Sequence, residues 1–256
     1  MLETISYQPR NKRIGLIVPA SNTNAEPDCV SLCPPNVTVH SARSGGYDVE
    51  DIPDSTEMRR FARQSLDQNC KDLVDARVDI IAYGCTSATL SEGPEFDESF
   101  CKSIQAEAGR PAVTTAGALI EAIESIQAAK ISFTSPYVKA LSQEAVQFLA
   151  KCDIETVKEH ALERELNSLE QNALTPQDAY NMAMEADCSE AQAIVISCTD
   201  FRALEAVPAI ERVLNKPVIT RKQALMFACL KRMDVSLAKV RNGGFLFTGS
   251  GIDHER

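Results

Sequence analysis

The chain has 256 residues, of which 44% are hydrophobic and 24% charged, values typical of a folded globular protein and unlike those of disordered or fibrous chains. Its formal net charge of −10 argues against nucleic acid as a partner, because phosphate binding requires clustered lysine and arginine. No apolar stretch approaches the ~20 residues of a membrane helix, and residues 1–13 lack the apolar core of a signal peptide. We therefore expect a cytoplasmic protein with no membrane partner.

Short apolar runs alternate with helical patterns along the whole chain. Strands are predicted at residues 13–19, 37–41, 78–83, 130–133, 154–159, 193–197 and 217–220. Helices are predicted at residues 55–75, 117–129, 138–150, from 175–176 onward, at 204–214 and at 222–232. Strands that alternate with helices favour parallel sheets with helices on both faces, and ligands of such sheets bind beyond the carboxyl ends of the strands.

Several local signals refine these elements. Asp54 or Ser55 is a candidate N-cap for the helix over 55–75, and Thr175 caps the later helix with Pro176 at its first position. The segment after Val240 is rich in glycine and is predicted to be loose. Its glycines are turn signals and not a phosphate loop, because no helix follows them.

A half-length repeat is the most informative feature of the sequence. RIGLIVPASN (13–22) resembles KISFTSPYVK (130–139), and VDIIAYGCTSATL (78–90) resembles AQAIVISCTDFRAL (191–204). The interval from Pro19 to Cys85 is 66 residues, and the interval from Pro136 to Cys198 is 62 residues. Two related halves predict two similar α/β units that face each other, with Cys85 and Cys198 opposite one another across a cleft.

The nine cysteines form neither a disulfide framework nor a metal site by their pattern. Their number is odd, no C-x-x-C occurs, and the three histidines are far apart. Seven are interpreted as small buried hydrophobic residues. Cys85 and Cys198 differ, because each follows a strand at the start of a helical segment, where N–H donors lower a thiol pKa and bind anions. The hydroxyls of Thr86, Ser87 and Thr199 add further donors for a carboxylate.

Other catalytic motifs are missing from the sequence. No histidine accompanies either cysteine, so a cysteine–histidine hydrolase is not indicated. The chain has no Walker loop, no G-x-G-x-x-G and no H-E-x-x-H, so nucleotide, nicotinamide and zinc-hydrolase interpretations lose their main support. We expect no cofactor and no metal.

The residues resemble a known group of enzymes, the aspartate/glutamate racemase superfamily, and most of all its maleate cis-trans isomerase and arylmalonate decarboxylase branch. The matching stretches are 13–28, 79–90, 135–137, 193–207 and, in part, 217–226. The resemblance implies two doubly wound α/β domains related by a pseudo-twofold axis, with the active site in the cleft between them. We expect a first domain of residues 1–115 plus 222–256, a second of 116–221, and a homo-oligomer.

The resemblance also implies roles for individual residues. Cys85 is expected to be the nucleophile, or one of two proton-handling thiols, and Cys198 the second thiol. The substrate-binding residues expected from the resemblance and from the hydroxyls above are Asn22, Thr86, Ser87, Tyr137, Asn167 and Thr199.

Alternatives remain open for three of these side chains. Asn172 competes with Asn167 for the second carboxylate of the substrate. Asn22 could instead cap the first helix, and Tyr137 could be a packed aromatic residue with a satisfied hydroxyl.

Two positions depart from the family pattern. The family commonly has Ser-Asn-Gln-Ala where this chain has Arg221-Lys222-Gln223-Ala224, and asparagine where this chain has Asp200. These departures change one wall of the expected pocket.

These observations lead to a functional hypothesis, a cofactor-independent isomerase that acts on a small carboxylate or dicarboxylate. The maleate-to-fumarate type of reaction proceeds by cysteine addition, bond rotation and elimination. A two-base racemase of amino or hydroxy acids is the first alternative. A relative of the ectoine-utilisation branch is a further one, and a decarboxylase ranks lower, since that branch uses one cysteine and has glycine where this chain has Cys85. A non-catalytic carboxylate-binding protein on the same scaffold is the alternative from a different class.

Overall fold

Two four-stranded parallel sheets form the framework of the protein. The structure, a computed structural model, describes residues 12–52, 54–90, 92–162 and 164–249. The strands are β1 Lys12–Pro19, β2 Val37–Ser44, β3 Ile80–Tyr83, β4 Ala112–Thr114, β5 Lys130–Ser135, β6 Glu155–Ala161, β7 Ala193–Ile196 and β8 Val218–Thr220. Their order is β2-β1-β3-β4 in one sheet and β6-β5-β7-β8 in the other, with every pairing parallel.

Helices follow most strands and cover the sheets. They are α1 Ala25–Ser31, α2 Ser55–Arg63, α3 Leu66–Asp75, α4 Ser87–Leu90, α5 Pro94–Ala108, α6 Thr115–Ser125, α7 Lys139–Lys151, α8 Ser168–Ala173, α9 Pro176–Ala186, α10 Val207–Leu214, α11 Arg221–Arg232 and α12 Phe245–Thr248. Within the described ranges, none of them has the length and apolar character needed to span a bilayer.

The identical strand order confirms the repeat predicted from the sequence. In each half the third strand in chain order lies between the first and the fourth. Cys85 lies two residues beyond the end of β3, and Cys198 lies two residues beyond the end of β7. The two Cys-Thr dipeptides therefore occupy equivalent positions, as expected for two doubly wound α/β units.

Local structure differs from the prediction in three places. The helix predicted over 55–75 divides into α2 and α3 at Ser65, whose φ of 58° lies in the left-handed region. Helix α5 was not predicted. Part of the tail predicted to be loose forms α12, which packs Phe247 edge-to-face on Phe227 at 5.9 Å between ring centroids, while residues 250–256 lie outside the described ranges.

The largest hydrophobic cluster joins the two halves. It contains Ile14 and Leu16 of β1, Ile131 and Phe133 of β5, and the apolar residues of α6 and α11. Helix α11 is buried from Arg221 to Leu230 and contacts α1, α6, β4 and β8. Because α11 packs against both halves, the expected assignment of residues 222–256 to the first domain stays a prediction.

A buried carboxyl on α5 makes the stability of this framework depend on pH. Asp97 is 5% exposed, and its carboxylate accepts a hydrogen bond of 2.8 Å from the Thr114 hydroxyl. Burial raises the pKa of Asp97 from 3.8 to about 6, although Thr114, the Gly117 amide and the Arg221 charge oppose the shift. The folded protein therefore binds a proton that the unfolded chain releases, and it loses stability as the pH rises from about 4 to about 6.

Asp97→Asn is expected to remove this loss, because an amide does not ionise. The free energy of unfolding of the variant, relative to the native protein, should rise by about 3 kcal/mol between pH about 4 and about 7. Urea titrations across that pH range measure the difference. Asp75→Asn, at an exposed position at the end of α3, is the matched control and should run parallel to the native protein. Parallel curves for Asp97→Asn would contradict the assignment.

Candidate active site

A single cavity lies beyond the carboxyl ends of strands from both sheets, and both thiols of the Cys-Thr pairs line it. Its volume, including its opening to solvent, is about 410 Å³. The lining residues are Pro19, Tyr47, Met58, Phe61, Cys85, Thr86, Ser87, Tyr137, Leu141, Ser168, Gln171, Cys198, Thr199 and Asp200. Six of the eight site residues predicted from the sequence are therefore brought together, and Asn22 and Asn167 are not in the lining.

Cys85 lies among hydrogen-bond donors where β3 ends and α4 begins. The backbone of the preceding residue, Gly84, passes close to β1. A Cβ atom on Gly84 would be 3.0 Å from the Ile17 carbonyl oxygen. The Cys85 sulfur is 3.8 Å from the Ser87 hydroxyl. Burial raises the pKa of the Cys85 thiol to about 12 and the Asp200 charge adds to the rise, while the Ala88 amide and the Ser87 hydroxyl lower it. These donors are placed to stabilise a thiolate.

Cys198 faces an acceptor instead. Its Sγ donates to the Gln171 Oε1 at 3.3 Å, and the Gln171 Nε2 donates to the Leu166 carbonyl at 3.0 Å. The second bond fixes the orientation of the amide, so that the carbonyl oxygen points at the sulfur. Burial and the Asp200 charge raise the pKa of Cys198 well above its usual value, against the opposing amides of Asp200 and Phe201. The environment therefore holds Cys198 as a protonated thiol.

The two thiols therefore have different surroundings. Donors surround Cys85, which suits the nucleophile, and an oriented acceptor holds the proton of Cys198, which suits the acid. Cys198 also has a φ of 102°, an uncommon value for a residue with a Cβ. Strained backbone of this kind occurs where the surrounding structure fixes a side chain for function.

Asn22 joins the two thiol loops without lining the cavity. Its Oδ1 accepts hydrogen bonds from the backbone N–H groups of Asn24 at 3.0 Å and Ala25 at 2.8 Å, at the start of α1. Its Nδ2 donates to the Thr199 hydroxyl at 3.2 Å, and that hydroxyl donates to the Gly84 carbonyl at 3.0 Å. Asn22 therefore binds backbone N–H groups beside Asn24, the N-cap residue of α1, and connects the loop of Cys85 with that of Cys198; its expected role in substrate binding stays a prediction.

The asparagines near α8 also have structural partners. The Oδ1 of Asn167 accepts a hydrogen bond from the Glu170 amide at 2.9 Å and caps α8, and its Nδ2 donates to the Glu50 carbonyl at 3.3 Å. The Oδ1 of Asn172 accepts from the Thr23 amide at 3.1 Å, and its Nδ2 donates to the Asp200 carboxylate at 3.1 Å. Neither side chain is in the lining.

The same helix contributes two residues that the sequence analysis missed, Ser168 and Gln171. Ser168 follows the cap directly, and Gln171 lies one helical turn after Asn167. The i,i+4 spacing from a capping asparagine is the signal that could have indicated Gln171. Tyr47, which lines the cavity and shares a hydrogen bond of 2.6 Å with the Ser21 hydroxyl, carried no such signal.

Tyr137 accepts the last bond in a buried series of hydrogen bonds that begins at Arg221. The Nε of Arg221 donates to the Ser197 hydroxyl at 2.9 Å, and Ser197 donates to the Tyr137 hydroxyl at 3.3 Å. The Tyr137 hydroxyl also interacts with the Thr86 side chain, and both residues line the cavity. Arg221 is fully buried, which lowers its pKa to about 10.

Comparisons with known proteins decide the relationship. The family model described as arylmalonate decarboxylase matches residues 14–246. The chain belongs to this family. A maleate isomerase of Geobacillus stearothermophilus is 30% identical over 251 residues, which cover 93% of this chain and 97% of that protein. A maleate isomerase of Pseudomonas putida is also 30% identical, over 93% of this chain and 98% of that protein.

Solved structures of the family share the fold. The maleate isomerase Iso from Pseudomonas putida S16 superimposes with a TM-score of 0.85 at 28% identity, over 93% of this chain and 98% of that one. A cysteine-to-alanine variant of Iso, solved with maleate, has a TM-score of 0.85 at 27% identity, over 94% of this chain and 99% of that one. The protein is thus an isomerase of the maleate isomerase and arylmalonate decarboxylase branch, and the resemblance seen in the sequence is confirmed.

The two departures from the family pattern place charged groups beside the cavity. The Lys222 ammonium is fully buried, lies 2.6 Å from an Asp28 carboxylate oxygen and donates to the Phe201 carbonyl at 2.7 Å. Asp200 lines the cavity between the two thiols and is held by Asn172. This member of the family therefore has a carboxylate in the wall of the cavity.

Proposed function

We propose that the protein is a cofactor-independent cis–trans isomerase that converts maleate to fumarate with Cys85 and Cys198. The observation that carries the proposal is that two thiols, from equivalent positions of the two halves, line one cavity. The two relatives that are 30% identical over nine-tenths of the chain are maleate isomerases, and the maleate isomerase Iso has been solved with maleate, which supports the choice of substrate.

The reaction needs only the substrate and the two thiols. Cys85 first loses its proton to solvent; the thiolate then adds to one alkene carbon, and the π electrons move toward the carboxylate of the neighbouring carbon. Cys198 delivers its proton to that neighbouring carbon, which leaves a succinyl group bonded to Cys85 through a single carbon–carbon bond. Rotation about this bond places the carboxylates trans. The Cys198 thiolate then removes a proton, the carbon–sulfur bond breaks, and fumarate leaves with the Cys85 thiolate restored.

The lining supplies groups for each stage. The hydroxyls of Thr86 and Ser87 and the backbone after Cys85 are placed to donate to the carboxylate on which negative charge builds, an oxyanion-hole role. Tyr137 donates to a substrate oxygen, and the acceptor Gln171 keeps the proton on Cys198 until it is transferred. We assign Thr199 to substrate binding because its side chain lines the cavity.

Cytoplasmic location and assembly into a homo-oligomer are further parts of the proposal, which rest on the sequence alone. Size-exclusion chromatography with light scattering measures the oligomeric state.

Proton NMR of the purified protein with maleate and no added cofactor tests the function. The maleate vinyl resonance should decay while the fumarate resonance grows. Incubation of aspartate and glutamate in D₂O is the parallel arm, because a two-base racemase exchanges the α-hydrogen for deuterium. Exchange at the α-carbon without any conversion of maleate would replace the isomerase with the racemase.

A further inference from the structure

Asp200 is the one formally charged side chain among the described residues that line the cavity. No lysine or arginine is among these described lining residues. Lys222 is paired with Asp28, and the Arg221 Nε donates to the Ser197 hydroxyl. A dicarboxylate substrate brings two more negative charges into this space. A carboxylate that lines a small, largely buried cavity repels such a dianion unless one of the carboxyl groups is protonated.

The hydrogen bonds determine which oxygen of Asp200 can hold a proton. The backbone N–H of Thr23 can only donate, so the atom of Asn172 that it meets at 3.1 Å is the amide oxygen. The Nδ2 of Asn172 therefore points at Asp200 Oδ1, at 3.1 Å. Oδ1 accepts this bond, whereas Oδ2 has only the long contact with Cys198, whose single proton is directed to Gln171 at 3.3 Å; Oδ2 is therefore left for the proton. Oδ2 lies 3.9 Å from the sulfur of Cys198, on the side of the catalytic thiol.

Among Asp200 and the ionisable groups that face it, only Asp200 changes charge near neutral pH. Burial raises the pKa of Asp200 from 3.8 to about 6, and the bonds from Asn172 and Cys198 and the charge of Lys222 oppose the rise. The other ionisable groups that face it are Cys85, Cys198 and Tyr47. Burial raises the pKa of Cys85 and of Tyr47 to about 12 and moves that of Cys198 in the same direction, so these groups stay neutral there.

We propose that Asp200 binds one substrate carboxylate as a neutral carboxylic acid, so that each bound dianion brings one proton into the site. Oδ2 carries that proton and donates it in a hydrogen bond to the substrate. The inference rests on the proposed function, since it takes the substrate to be a dianion. An asparagine at position 200 would donate through its amide without any proton uptake. Asp200 therefore makes dianion binding in this protein depend on pH.

Inhibition of the native enzyme by fumarate and by its monoamide gives the first test. Both carboxyl groups of fumarate are ionised at every pH used, so its own titration does not contribute. The inhibition constant of fumarate should rise about tenfold per pH unit above pH about 7, since binding takes up one proton. The monoamide presents an N–H donor to Asp200 and should not show this rise. If the ratio of the inhibition constant of fumarate to that of the monoamide does not change with pH, the proposal is overturned.

Asp200→Asn gives the second test. Titration calorimetry of fumarate in two buffers with different ionisation enthalpies counts the protons taken up. We expect about one proton per bound fumarate for the native enzyme at pH about 8 and none for the variant. Equal uptake by both proteins would refute the role of Asp200. Loss of fumarate binding in a folded variant would also refute it, because the carboxylate would then be required as an acceptor.

The inference and the proposed function fail in different ways. If the native enzyme does not convert maleate, the function is wrong. If it converts maleate while the inhibitor ratio stays constant with pH, only the inference about Asp200 is wrong. Because the inhibitor ratio is measured on the native enzyme, the test remains decisive even if Asp200→Asn does not fold.

Discussion

Cys85→Ser is expected to lower kcat for maleate about a thousandfold or more, while the affinity for fumarate stays within about tenfold of the native value. A serine hydroxyl ionises far less readily than a thiol, and the Ser87 hydroxyl and Ala88 amide that assist Cys85 cannot make up the difference. The alkoxide is also a much poorer leaving group in the elimination step. The NMR assay measures kcat, and calorimetry of fumarate measures binding.

Cys101→Ser is the matched control. Cys101 is a partly buried thiol on α5 whose sulfur donates to the Ala112 carbonyl at 3.3 Å, and it does not line the cavity. This variant should keep the native kcat. If Cys85→Ser retained more than about a tenth of the native kcat, addition by this thiol would not be the route of the reaction. A non-catalytic binding protein would show no maleate conversion in any variant and unchanged binding in both.

The fold and the placement of Cys85 and Cys198 in one cavity were predictable because they depend on features that repeat along the chain. Buried strands appear as short apolar runs, and the similar segments around Cys85 and Cys198 place both residues after equivalent strands of a repeated sheet. Parallel strands end at one edge, so two such ends in facing halves form one cavity. No long-range contact has to be known for that inference.

Elements whose local pattern is ambiguous were harder to predict. Helix α5, with sequence PEFDESFCKSIQAEA, buries few side chains and is polar on most of its surface, so its helical period is weak. The break between α2 and α3 depends on the left-handed conformation of Ser65, a residue type with no strong preference for it. In both cases tertiary packing decides the structure.

The polar site residues show a different limit of sequence analysis. Asn22 and Asn167 have the right chemistry for a carboxylate ligand, but their side chains are used by backbone groups at the starts of α1 and α8. Asparagine serves both purposes, so the role of Asn22 and Asn167 in substrate binding stays a prediction. Gln171 was missed for the converse reason, since only the structure shows that the Leu166 carbonyl orients its amide toward Cys198.

Cys198→Ser is expected to accumulate a covalent succinyl adduct on Cys85. Addition by Cys85 still occurs, and water or the serine hydroxyl supplies the proton slowly. A serine is too weak a base to remove the proton again, so elimination stalls with the carbon–sulfur bond intact. Intact-mass spectrometry should show a gain of about 116 Da, the mass of maleic acid, on incubation with maleate.

Peptide mapping of this variant distinguishes enzymatic addition from non-specific alkylation of thiols. The gain should be confined to the peptide that contains Cys85, and the double variant Cys85→Ser/Cys198→Ser should show none. An adduct spread over partly buried cysteines outside the cavity, such as Cys33, would indicate unassisted addition of maleate. Native turnover by Cys198→Ser would exclude Cys198 as the proton-transfer group, because a serine hydroxyl is too weak an acid and base to deliver and remove the proton at the native rate.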